Sequence, residues 1–252
     1  VSELSSHQLA ALEDYIFGKD HVPAWQPKIG AWNPTIPTIF PTAKSARRSV
    51  YARLPLMRQG LMQFDVDPDV VSISAFPFQT EYWSATSEGD AVKRVHIPDV
   101  AILMRDRRVI CIDYAPVMIQ RDKPWHEAKT AQLVAHYEEE FGWPYVVHDE
   151  RRVLAQPMAS NAALLWRYMP CAADHPGLAC VRRAVMGLVF PATIAAITAA
   201  LTDNHSDVSG LGAQAAAFVF TAVMQLIIDG SLVVDLSLPI TAASTVMKGA
   251  LA

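Results

Sequence analysis

Asp99 and Asp113 are the residues of this sequence whose types and spacing most invite chemistry. Two apolar runs, Val100–Met104 and Val109–Tyr114, flank the charged segment Arg105-Asp106-Arg107-Arg108. If the runs pair as an antiparallel hairpin, the turn centres near Asp106 and Asp99 faces Asp113. Directly opposed residues hold their Cβ atoms about 4.5–5.5 Å apart. Carboxylates that close repel each other unless one takes a proton or a cation lies between them. A hard cation such as Mg²⁺ or Mn²⁺ suits carboxylate oxygens, and such a centre activates water and neutralises charge in phosphodiester hydrolysis. The structural alternative is that Asp99 merely follows the strand-breaking Pro98 and Asp113 ends its strand in solvent.

The elements that must position this pair are those of an α/β region. Val70–Phe78 and Gln79–Trp83 read as extended, Ser84–Asp90 as a polar loop and Val92–His96 as a returning strand. The two runs of the hairpin come next. Residues 51–64 read as a half-buried helix in spite of Pro55. Trp125–Phe141 carries apolar residues at helical spacing (Ala128, Leu133, Val134, Tyr137), with Gly142 as its cap. Pro144–His148 reads as the last strand. Ahead of this region, residues 4–17 form an amphipathic helix capped by Ser5 or Ser6. A proline-punctuated arm with Trp25, Trp32 and Phe40 follows it, and aromatics of that kind predict an arm packed on the body or on a partner. After Gln156-Pro157 the pattern turns mostly helical. The expected domains are therefore an arm over 1–43, an α/β domain over 44–156 and a helical domain over 157–252.

The chain has 252 residues, is 52% hydrophobic and 18% charged, and carries a net charge of −4. Such a composition supplies ample core and argues against disorder. It offers no global basic field, so any contact with DNA must be local. Cys111, Cys171 and Cys180 form no Cys-x-x-Cys pair, and no basic segment followed by an apolar run opens the sequence. Both features predict a cytoplasmic protein with reduced thiols. The uncharged stretches near 184–202 and 213–228 are rich in Ala and Thr and lack a one-sided basic flank, which predicts helices of a soluble core and no membrane contact.

The segments Phe64-Asp65-Val66-Asp67-Pro68-Asp69-Val70-Val71, Phe76-Pro77, His96-Ile97-Pro98-Asp99 and Ile112-Asp113 with Pro116 resemble the N-terminal domain of the TnsA family. TnsA proteins are endonuclease subunits of heteromeric transposases with a PD-(D/E)xK, restriction-endonuclease-like core. The resemblance runs from about Ser45 to Val153 and continues more loosely through Asn161–Tyr168 and Gly230–Leu238. It implies a mixed sheet flanked by helices, with Asp99 and Asp113 as Mg²⁺ or Mn²⁺ ligands. The expected partners are DNA and a transposase or assembly protein.

The same resemblance predicts a damaged site. The family adds a helical Glu upstream, which falls here on Leu56 or Met57, and a Lys two residues past the second acid, which is Ala115. Its Gln before Pro77 is Phe76. Losing one general acid or base commonly costs roughly 10²–10⁴-fold in rate. Lys129, on the following helix, is the leading replacement for the lost Lys, with Lys123 behind it. The expectation is a retained nuclease fold with weak or absent cleavage. The alternatives are a non-catalytic adaptor and an active enzyme with a migrated Lys.

Phosphate contacts are expected from Arg47, Arg48, Arg53 and Arg58 around the first helix, and from Arg94 and His96 beside the carboxylates. Arg105, Arg107 and Arg108 at the hairpin turn form a second basic cluster. Gly210-Leu211-Gly212 lacks the Gly-Lys-Ser of a phosphate loop. The C-terminal region suggests a winged-helix-like bundle, with a wing strand at Ser231–Leu236. Its helix near 213–228 offers only Gln214 and Gln225 for base reading, so protein docking suits it better.

Overall fold

The computed structural model describes residues 4–30, 35–85, 90–123, 125–171, 173–204 and 214–250. The rest of the Ser84–Asp90 loop, Trp32, Pro34 and Gly210-Leu211-Gly212 lie outside the described residues. The chain is mixed α/β and divides into two units, Val1–Asp65 with Asp69–Leu154, and Val66–Pro68 with Ala155–Ala252.

The first unit is built on a four-stranded sheet. Helix α1 (Ser6–Ile16) precedes strands β1 (Thr38–Pro41) and β2 (Ser49–Ala52), which form a separate antiparallel pair. Helix α2 (Pro55–Val66) leads into β3 (Val70–Ala75). A second antiparallel pair follows, β4 (Thr80–Ala85) with β5 (Ala91–His96). Then come β6 (Val100–Met104), β7 (Val109–Tyr114), the short helix α3 (Val117–Asp122), the long helix α4 (Trp125–Phe141), β8 (Tyr145–His148) and the single turn α5 (Glu150–Val153). The main sheet has the order β3-β6-β7-β8, antiparallel except for the parallel β7–β8 pair. A parallel pair needs a crossover, and α4 is that crossover.

Alternation along β6 and β7 divides the core. Ala101, Leu103, Val109 and Cys111 face a cluster formed by Leu133, Tyr137 and Phe141 of α4, Ile16 of α1 and the ring of Phe78. Leu9 and Leu12 pack there too, which is why α1 forms at all: its apolar stripe has a surface to cover. Ser5 caps α1 through a capping box with Gln8. Gly142 ends α4 with φ +63°, a left-handed geometry that glycine adopts at little cost. On the opposite side of β7, α2 comes so close that a Cβ on Gly60 would stand 2.2 Å from the Tyr114 hydroxyl oxygen.

The second unit is mostly helical: α6 (Met158–Trp166), α7 (Leu178–Met186), α8 (Ile194–Asn204) and α9 (Ala215–Ile228). Three short strands, β9 (Ala192–Thr193), β10 (Leu232–Val234) and β11 (Thr245–Lys248), form an antiparallel sheet of order β10-β11-β9. The core runs along α9, where Val219, Ala222, Val223 and Met224 have no exposed surface. Asn161 fastens the chain after β10. Its Nδ2 donates to the carbonyls of Leu236 (3.1 Å) and Leu238 (2.8 Å), and its Oδ1 accepts from the Ile240 amide (2.9 Å).

Several expectations need correction. Residues 51–64 are not one helix: β2 ends at Ala52 and α2 starts at Pro55, because Pro suits a first helical turn, where an amide has no partner to lose. The extended run from Val70 stops at Ala75, where Phe76 turns to φ +51°. The strand expected over Ser231–Leu236 is shorter, Leu232–Val234, and pairs with β11. Residues 1–65 and 69–154 fall in the first unit, with α1 among them. Among the described residues no helix is long and apolar enough to cross a membrane.

Candidate functional site

The register Val100↔Ile112 places Asp99 opposite Asp113 at the open end of the β6–β7 hairpin. The Asp99 amide donates to Asp113 Oδ1 at 3.1 Å, so the second acid caps the strand that carries the first. Asp99 is 4% exposed and the Asp113 side chain 18%.

What meets these carboxylates is other protein. Arg53, in the link between β2 and α2, lays its guanidinium against Asp99. Nε donates to Oδ1 at 2.5 Å and Nη2 to Oδ2 at 2.7 Å. Nη2 also reaches the Tyr114 carbonyl at 2.6 Å, and the Tyr114 amide donates to Asp99 Oδ2 at 2.7 Å. Asp113 Oδ2 accepts from His96 Nε2 at 3.0 Å and from the Tyr145 hydroxyl at 2.8 Å. The Tyr137 hydroxyl stands 3.0 Å from the other His96 nitrogen, and the Tyr137 and Tyr145 rings stack at 5.0 Å. All four carboxylate oxygens therefore hold at least one protein donor.

The electrostatics follow from this geometry. Burial, then the neighbouring Asp113 charge, pushes Asp99 up to about 6 against the pull of Arg53 and the Tyr114 amide. Burial would raise Asp113 too, but the His96 ring and the Tyr145 hydroxyl outweigh it and hold that carboxyl below its usual range. Burial and the Asp113 charge push the Tyr145 hydroxyl up, so it stays a donor. Arg53 is raised above its ordinary value: burial opposes this, but the bond to Asp99 prevails. One cation thus neutralises one of two adjacent acids.

Mg²⁺ or Mn²⁺ does not fit these residues. Each carboxylate oxygen already accepts from Arg53, His96, Tyr145 or a backbone amide, so an ion bridging the two acids would have to displace the Arg53 guanidinium from Asp99. At the positions where the sequence resemblance placed a further Glu, Leu56 is half-buried and Met57 fully buried. Ala115, where the resemblance expects a Lys, is buried with its amide on the His148 carbonyl. Lys129 makes no hydrogen bond or ion pair with either aspartate; its charge is felt by His126, one turn back on α4. Among the described residues no group of three or more His, Cys, Asp or Glu could hold a metal ion.

Two of the residues expected to touch phosphate are engaged within the protein. Arg53 is committed to Asp99, and His96 is buried at 6% exposure between Asp113 and Tyr137. Arg47, Arg48 and Arg94 are exposed, and Arg58 is half-buried. Residues the sequence reading left out of the site are Tyr114, Tyr137 and Tyr145. Their signal was faint, since tyrosines on a helix stripe and in strands read as core. Arg53 had a stronger one, as the lone charge within the apolar stretch Val50–Met57.

No protein-family model matches the chain, and no curated protein is similar to it in sequence.

Proposed function

We propose that this chain is a TnsA-like, nuclease-fold protein of DNA transposition or a related mobile-element process, in which the cutting site has become a closed ion-pair core. It acts as a non-cleaving adaptor beside a transposase or assembly protein. The observation that carries this reading is Arg53 seated on Asp99. A guanidinium supplies the positive charge that the adjacent acids need, but it activates no water.

The arrangement of elements supports the ancestry. A helix, three antiparallel strands, a crossover helix and a parallel fourth strand (α2-β3-β6-β7-α4-β8) form the order expected of a restriction-endonuclease-like core, and the acid pair sits on its central hairpin. In the second unit, the sequence α7-β9-α8-α9-β10-β11 with sheet order β10-β11-β9 suits a winged helix. Its α9 is poorly suited to reading bases. Gln225 is 1% exposed, donates to Asp174 at 2.8 Å and accepts from Arg182 at 2.8 Å. Protein docking is the better use of that unit.

The test is incubation of the purified chain with supercoiled DNA and Mg²⁺ or Mn²⁺. The expected result is no nicking. Nicking that disappears in Asp99→Ala sinks the adaptor reading.

A further inference from the structure

The first unit contains a cavity of about 140 Å³ away from the two aspartates. Ile16 and Phe17 at the end of α1, Val50 of β2 and Ile73 of β3 supply apolar wall. Arg47, Ser49, Ser74 and His21 supply the polar part. The volume is close to the roughly 150 Å³ of an apolar cavity that takes up benzene, so it suits a body of about six heavy atoms.

The polar groups divide into spent and unspent. His21 is buried, with Nε2 2.8 Å from the Pro77 carbonyl and Nδ1 3.4 Å from the Ser74 hydroxyl. Burial holds its ring below the usual value, and the nearby Arg47 charge acts in the same direction, so the ring is neutral at pH 7. Arg47 is then the one charged residue on the wall among the described residues. Its guanidinium makes no hydrogen bond or ion pair among the described residues. The loop that presents it is tightly held: the Arg48 amide bonds the Ser45 carbonyl at 2.8 Å, and the Thr42 amide bonds the Arg48 carbonyl at 3.1 Å. Arg48 adopts φ +60° to close that turn.

We propose that this cavity binds a small organic carboxylate with an apolar body, clamped by Arg47 and seated against Ile16, Val50 and Ile73. A guanidinium fork matches a carboxylate in two hydrogen bonds. The apolar wall favours a monoanion with a hydrocarbon tail over inorganic phosphate, which would be stripped of water with nothing apolar to bury in return.

Calorimetric and NMR titration of the full chain with butyrate and benzoate tests this, with butyramide and inorganic phosphate as comparisons. The expected result is saturable one-to-one binding of an acid with amide shifts at Ile73 and Ser74. Affinity should fall about tenfold or more for butyramide and for the exposed-site variant Arg47→Gln, equal to the loss of about 1.4 kcal/mol. Three results overturn the proposal: no saturable binding where a Kd of about 1 mM would be seen, equal binding by Arg47→Gln, or binding of phosphate in place of both acids.

Discussion

Arg53 and Asp99 meet through two parallel hydrogen bonds across 46 residues of chain. This pair makes one half of an adjacent acid pair part of an internal salt bridge. Asp99 cannot leave it without facing Asp113 alone, and Arg53 cannot leave it without giving up the Tyr114 carbonyl as well.

Replacing Arg53 should therefore destabilise the first unit. Breaking a buried pair costs about 3–5 kcal/mol, and the one-third exposure of Arg53 lowers this to about 2–4 kcal/mol. Urea melts of Arg53→Met at pH 7.5 should show that loss, and melts at pH 5 a smaller one, because a protonated Asp99 no longer needs the cation.

Asp99 should also leave its mark on the wild-type pH profile. Its folded value of about 6 lies above the unfolded value of about 3.9. The folded state thus holds the proton more tightly, and this contribution is present below about pH 4 and lost as pH rises through 6. It amounts to at most about 3 kcal/mol. His148 works in the opposite sense: burial, then Arg152, brings it down to about 4, so its contribution disappears as pH falls through that value. The difference between wild type and Asp99→Asn isolates the Asp99 part, and a carboxyl ¹³C titration should locate its midpoint near 6.

Gly60→Ala should be strongly destabilising even though alanine favours a helix interior by about 1 kcal/mol. The new Cβ would lie 2.2 Å from the Tyr114 hydroxyl oxygen, and that ring is fully buried, so relief requires the packed ring to shift. A loss of about 1–3 kcal/mol is expected from overpacking, measured by denaturant unfolding. An unchanged midpoint would show that Tyr114 swings away freely.

In the second unit, Asn161→Ala removes three hydrogen bonds to the segment after β10. Leaving buried backbone groups unpaired costs about 1–3 kcal/mol. Amide exchange at Ile240 should accelerate, while Asn161→Asp should restore only the bond from the Ile240 amide.

Much of this fold was legible because periodicity reported it directly. The hairpin of β6 and β7 and the helix Trp125–Phe141 needed only local pattern, and the opposition of Asp99 to Asp113 followed from the register. The absence of the Glu and Lys that the resemblance to the TnsA family calls for was also visible, as Leu56, Met57 and Ala115. What filled the gap was not. Arg53 lies far from Asp99 in sequence, and an Arg ahead of a helix reads as a phosphate contact until the fold brings a carboxylate to it. Tyr145 and Tyr137 were hidden for a related reason: an aromatic ring reads as core, and its hydroxyl gains meaning only from what stands beside it.

Calorimetric titration of the wild-type chain with Mn²⁺, alongside Arg53→Ala and Asp113→Asn, tests the closed ion-pair core most directly. The account predicts no saturable binding by the wild type, and any gain confined to Arg53→Ala, where Asp99 is released. Saturable Mn²⁺ binding by the wild type that is lost in Asp113→Asn would contradict it.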